Sequence, residues 1–273
     1  MDRIQSPWGE THFLGLQKPD ERPTGFMAYA DSGLLYTRQQ IQEIIADPRR
    51  TPARKMFFGP KWIKAQMNRS SCNGFAGAKA LERSRVKRGE KHVELSGEGL
   101  YAQINRNMDK GSLLEDGMRK LVDFGVPPES MVPSQEYLWA NITPEAKKAA
   151  ARFKAQECYR VDTVDELASG LAAGFVGVVA VEANNAFYQL DSNGRVSPTD
   201  GIGNHAVGVD DVRLFGEDYE FDMFNSWGEK YGTGGRGWLS WKRHLKTTVR
   251  YHAFYLIRST IDDPEGSNPP KLK

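Results

Sequence analysis

The chain has 273 residues, 39% hydrophobic and 26% charged, enough to bury a sizeable core as one large domain or two small ones. A net charge of +2 argues against a nucleic-acid partner, and the one basic cluster, Arg83, Arg85, Lys87, Arg88 and Lys91, is diluted by Glu82 and Glu90 and reads as a solvated helix end. No apolar run reaches the roughly 18 to 20 residues needed to cross a bilayer, and "MDRIQSPWGETHF" lacks an apolar signal core, so a cytoplasmic protein without a membrane partner is expected. Two cysteines, Cys72 and Cys158, are too few for a disulfide framework, and both are expected as reduced thiols.

Residues 1 to 36 are rich in Pro, Gly and charge and read as irregular, with short strands around "GFMAYADSGLLY". A helix follows at "TRQQIQEIIAD": Thr37 and Gln40 have capping-box spacing, Ile41, Ile44 and Ile45 share a face, and Asp47-Pro48 stops it. "RTPARKMFFGPKW" reads as a linker entering a strand or loop. Cys72 then opens an alanine-rich helix in which Ala76, Ala80, Leu81 and Ser84 form a narrow buried face. Further helices are expected in "SGEGLYAQINRNM", "SLLEDGMRKLVDFG" and "TPEAKKAAARFKAQ".

Beyond Cys158, "VDTVDELASGLAAG" gives one more helix. The rest is strand-like: "FVGVVAVEA", "NHAVGVDDVRLF", "YEFDMFNSW", "RGWLSWK" and "YHAFYLIRS". Helices first and antiparallel strands later predict an α+β fold with two lobes. The expected division is an extension at 1–52, a domain at 53–258 with a helical lobe to 157 and a β-rich, barrel-like lobe from 158, and a disordered tail at 259–273.

The segments "QMNRSSCNGFA", "GIGNHAVGV" and "FNSWGEKYG" belong together. Cys72 precedes His205 by 133 residues and His205 precedes Asn225 by 20, the order and spacing of the Cys, His and Asn of papain-like enzymes. The sequence resembles the papain-like cysteine protease family, of a disulfide-free bacterial or viral type, over about residues 56 to 258. "LSGEGLY", "DKGSLLEDGMRKLVDFGV", "GFVGVVAVEANNAFYQL" and "NSWGEKYGTGGRGWLSW" carry the resemblance between and beyond the three motifs.

The resemblance implies a two-lobed fold with the site in the cleft, and an endopeptidase that acts on peptides or proteins through an acyl-enzyme, without metal or organic cofactor. Cys72, at a helix N-terminus beside His205, would be a thiolate well below the ~8.5 of a free thiol. His205 would return the proton to the leaving amine, and Asn225 would orient its ring under the cover of Trp227. Gln66, six residues before Cys72, would donate its side-chain amide to the oxyanion together with the Cys72 N–H. Gly111 would contact substrate main chain, and Asn204 would border the specificity pocket.

Departures from the family pattern are informative. Asn73-Gly74 stand where the family has a Trp after its nucleophile, and Arg69 replaces a disulfide cysteine. The extension suggests a zymogen, with the 37–47 helix lying across the cleft, or else an added structural layer.

Blander readings stand beside these. Alone, Cys72 and His205 could be packed core residues, Asn225 a turn cap and Trp227 ordinary core; His12, His92, His244 and His252 read as structural or exposed. A transglutaminase-like order, Cys158, His205 and Asp222, is also present, but Cys158 lacks a helix N-terminus. A third possibility is a non-catalytic or autoinhibited peptide-binding protein on the same fold.

Overall fold

The computed structural model describes residues 2–259; the tail expected from residue 260 onward lies outside them. The chain opens with a hairpin, β1 (Arg3–Gln5) antiparallel to β2 (Thr11–Phe13), closed by Gly9 at φ +85°. These strands lie upstream of the stretch expected to carry them. "YADS" at 29–32 is instead a single 3-10 turn, stopped by Gly33 in the left-handed region.

Helix α1 (Arg38–Ala46) forms as its capping box requires, with the Gln40 N–H donating to Thr37 Oγ1 and the Thr37 N–H to Gln40 Oε1. Its buried Ile41 faces the core, and the helix packs on α7 (Val164–Ala172) and on the strand β5 (His205–Phe215). It therefore does not lie across the cleft. "RTPARKMFFGPKW" holds a one-turn helix, α2 (Ala53–Met56), and a 3-10 turn, not a strand.

Helix α3 (Cys72–Lys87) is the central element, followed by α4 (Gly97–Ile104), α5 (Leu114–Asp123) and α6 (Pro144–Ala150). Strand β3 (Ala155–Val161) starts inside the stretch expected to be helical. With β4 (Val176–Val181), β5, β6 (Asp218–Phe224), β7 (Arg236–Ser240) and β8 (Phe254–Ser259) it makes one antiparallel sheet in the order β3-β8-β4-β5-β6-β7. The architecture is two-lobed α+β, but the sheet is open, with β3 and β7 as edges, and does not close into a barrel. Ser259, assigned to the tail by sequence, ends β8.

α4 and α5 flank α3 on one side and β4, β5 and β8 on the other, so every residue from Cys72 to Ser84 is buried rather than one narrow face. Its charged residues must then be paired. Lys79 Nζ lies 2.7 Å from Glu82, and Arg83, fully buried, donates to Asp210 Oδ2 at 2.9 Å with its guanidinium 3.8 Å from the Phe224 ring centre. Asp210 also pairs with Arg236, which reaches Asp222, itself bound by Arg54 at 2.8 Å. Lys87 donates to the Asp210 carbonyl at 2.6 Å. The basic cluster is thus not a solvated helix end: Arg83 and Lys87 lock the helix to the sheet.

Asp210→Ala leaves Arg83 and Arg236 buried without their shared partner and should cost about 3–5 kcal/mol in chemical denaturation. Lys91→Ala, on an exposed residue of the same cluster, should stay within about 0.5 kcal/mol.

Candidate active site

Cys72 is the first residue of α3, and its thiol is completely buried. His205 is the first residue of β5, and Asn225 directly follows β6. Pairing of Gly208 with Phe224 brings both to the same end of the sheet. The imidazole Nε2 lies 2.8 Å from Asn225 Oδ1, which also accepts the Ser226 N–H at 2.7 Å. An oxygen that accepts a backbone N–H fixes the amide's orientation, so His205 carries its proton on Nε2 and Nδ1 is the basic nitrogen. Nδ1 has no hydrogen-bond partner.

Trp227 stacks on His205 with ring centres 4.5 Å apart. On the indole's other face lies His12, at 4.7 Å. Gln66 is buried next to this group: its Oε1 accepts the Ser226 hydroxyl at 2.6 Å, and its Nε2 donates to Arg69 O at 2.8 Å and Phe13 O at 2.9 Å. Ser226 went unrecognised in the sequence although it lies inside the "NSWG" motif; a short hydroxyl between two recognised residues was the available signal.

The loop before Cys72 is clasped by Asp109. Its carboxylate accepts the Ser70 N–H at 3.0 Å and the Tyr101 hydroxyl at 2.9 Å and pairs with Arg69 at 3.3 Å. Asn73 is buried, donating to Ser112 Oγ at 3.0 Å and Leu113 O at 2.7 Å, so it ties the start of α3 to the 112–113 segment. Cys158 lies on β3, three strands away from β5 in the sheet, and Asp222 is engaged with Arg54 and Arg236, so the transglutaminase-like set is not assembled.

No protein-family model and no curated protein matches the sequence. Solved structures do match. Xylellain, a cysteine protease from Xylella fastidiosa, superposes with a TM-score of 0.69 at 21% identity over 95% of this chain and 98% of its own. The digestive procathepsin L 3 of Tenebrio molitor gives 0.60 at 16% identity, covering 78% of this chain and 72% of its own. Bromelain from Ananas comosus, in complex with the E64 inhibitor, gives 0.58 at 15% identity over 87% and 100%. The chain has the papain-like fold.

The chain's own residues 13 to 17 lie against Gln66, Ser112 and Asn204. Beyond the Phe13 carbonyl on Gln66, the Gly15 carbonyl accepts the Ser112 N–H at 2.9 Å, the Gln17 N–H donates to Ser112 O at 3.0 Å, and the Leu16 N–H donates to Asn204 O at 3.1 Å. Leu16 thereby pairs in parallel with Ser112. Ser112 makes these main-chain contacts, while its neighbour Gly111 lies against the Gly15 carbonyl group. The Asn204 side chain is turned away, clasping Ala183 through its N–H and carbonyl, and only its backbone meets the segment. A cavity of about 560 Å³ remains beside Trp227, between Glu10 to His12 and Ala65 to Asn68.

Burial here works against the expected ionisation of both groups. It pushes the Cys72 thiol up, although the backbone N–H groups of Ala206, Gly15 and Asn73 oppose it. It also pushes His205 down to about 4, against the Asn225 bond and with a small further contribution from His12. Both shifts favour the neutral thiol and the neutral imidazole over an ion pair. His252 is likewise pushed by burial down to about 4, and burial lowers His12 and His244.

An imidazole at about 4 when buried and 6.5 when free binds fewer protons in the closed state throughout that window. The stabilisation is complete above about 6.5 and is lost as pH falls toward 4. The urea midpoint should therefore fall between pH 7 and pH 4.5; a level midpoint would contradict burial of neutral histidines.

Proposed function

We propose that this protein is a thiol-dependent endopeptidase held closed by its own N-terminal segment. The observation that carries the reading is a peptide main chain seated in the cleft at four hydrogen bonds, with one of its carbonyls on the Gln66 amide. A groove that grips backbone and aims an amide donor at a carbonyl beside a thiol and an imidazole suits acyl transfer from a peptide.

In this reading Cys72 attacks the substrate carbonyl and His205 Nδ1 takes the thiol proton. The oxyanion forms against Gln66 Nε2 and the Cys72 N–H. His205 then protonates the amine as the C–N bond breaks, and water assisted by the same imidazole releases the acid. Asn225 and Trp227 hold the ring, and Ser226 holds Gln66. Ser112 and Asn204 supply main-chain contacts, with Gly111 keeping the rim low. The 1–52 extension works as a pro-segment through residues 13 to 17.

The closed, autoinhibited form is favoured by a second detail. The N–H of Leu14, the nitrogen that would leave if the Phe13–Leu14 bond were cut, donates to Asp2 O at 2.9 Å within the hairpin, while His205 Nδ1 makes no hydrogen bond. The imidazole is not placed to protonate that nitrogen, so the segment sits in the cleft uncut.

In the open form, peptide hydrolysis should vanish in Cys72→Ala and persist in Cys158→Ala. Gln66→Ala should lower kcat by about 10²–10³. Intact-mass analysis with a peptidyl epoxide should show one adduct, absent from Cys72→Ala. Activity that survives Cys72→Ala would refute the assignment.

A further inference from the structure

Gly15 touches two other stretches of main chain. Its φ is outside the left-handed region, so its backbone would accept alanine, and the constraint is one of space. A Cβ there would run into the carbonyl group of Ser70 and come within 2.8 Å of the Ser70 Cα. The Gly15 carbonyl group in turn lies against Gly111, where a Cβ would come within 2.8 Å of the Gly15 Cα. Neither neighbour can yield by changing a rotamer, so the fit of residue 15 depends on how the backbones at Ser70 and Gly111 are held.

Those two backbones are tied to each other through side chains. Asp109 Oδ1 accepts the Ser70 N–H at 3.0 Å and the Tyr101 hydroxyl at 2.9 Å, and the same hydroxyl accepts the Gly111 N–H at 3.0 Å. One carboxylate oxygen and one hydroxyl thus join Ser70 to Gly111. Tyr101 is fully buried on α4, and burial raises its phenol further, so it stays a hydroxyl that donates and accepts at once. Asn73 holds the Ser112 hydroxyl and the Leu113 carbonyl and leaves the Gly111 N–H to Tyr101.

We propose that Tyr101 and Asp109 are positioning residues: they set the spacing of Ser70 and Gly111, and through it how firmly a peptide main chain, the segment's or a substrate's, is held beside Cys72. For the substrate the inference rests on the peptidase reading; for the segment it rests on the contacts of Gly15 alone. Both side chains act through backbone, so their loss weakens the grip on a peptide rather than the reactivity of the thiol. It also lets Ser70 and Gly111 move, which relieves the crowding of any side chain placed at position 15. Loosening the link should therefore free the segment when residue 15 is glycine and reseat it when residue 15 is alanine.

The test is a double-mutant cycle in the full chain, with Cys158→Ala throughout so that Cys72 is the one thiol, alkylated by iodoacetamide and followed by intact mass. Cys72 is fully buried in the closed chain, so its labelling rate reads how often the segment lifts. Gly15→Ala should raise the rate roughly ten- to hundredfold. Tyr101→Phe should raise it about three- to tenfold, the range of one lost hydrogen bond. Added to Gly15→Ala, however, Tyr101→Phe should slow labelling by about threefold or more. Loss of stability in general does not reverse sign in this way, and neither does a rate that has reached its open limit. Asp109→Ala, which breaks the link at its other member, should reproduce both effects. Leu16→Asp puts a carboxylate where a leucine is buried and opens the cleft with position 15 still glycine. In that form Tyr101→Phe should raise KM for a peptide about three- to tenfold and leave kcat within about twofold. A combined variant that labels as fast as Gly15→Ala or faster, or a Tyr101→Phe parent that labels no faster, overturns the spacing role, as does a fall in kcat at constant KM. Reversal of sign without peptide hydrolysis in any opened form supports the spacing role for the segment and refutes the peptidase reading.

Discussion

The cleft depends on α3 being enclosed along its first three turns. A helix walled by α4, α5 and three strands cannot leave any charge unpaired, and Arg83, Lys79 and Glu82 therefore carry partners into the core with them. Those pairs fix the helix in register with β5 and β6 through Asp210 and Arg236. Because β5 begins at His205 and β6 ends one residue before Asn225, the register that satisfies Arg83 also sets the end of the sheet against the start of the helix. Structural electrostatics deep in the core and geometry at the cleft are one problem with one solution.

Closure changes the character of the site. An exposed helix N-terminus and a neighbouring imidazole favour a thiolate, but a dry cleft penalises both charges of the pair. With residues 13 to 17 in place, burial outweighs the backbone N–H groups aimed at Cys72 and the Asn225 bond to His205. The segment thus occupies the main-chain groups of Ser112 and Asn204 and, by burying Cys72, favours its neutral thiol. The stack of His12, Trp227 and His205 links the segment physically to the base.

Local chemistry was legible in the sequence where it was local. The Thr37–Gln40 capping box, the apolar runs that became β4 and β5, and the spacing of Cys72, His205 and Asn225 all read directly. The β1–β2 hairpin did not, because strands of three residues are too short to show alternation. Arg83 and Lys87 looked solvated because helical periodicity says nothing about a helix surrounded on every side. The segment in the cleft was hidden for the same reason at longer range: Gly15 is remarkable only for its neighbours Ser70 and Gly111, 55 and 96 positions away.

The clasp under Cys72 has a consequence for handling the protein. In the loop before Cys72, Arg69, Ser70 and Tyr101 converge on Asp109 without any sulfur bridge, and both cysteines are free. Reductant added to protect Cys72 therefore cannot loosen the support beneath it. Ionic strength takes over that role, since the Arg69–Asp109 pair is partly open to solvent and is weakened by salt. Thiol and scaffold answer to different solution variables, and each can be varied while the other is held still.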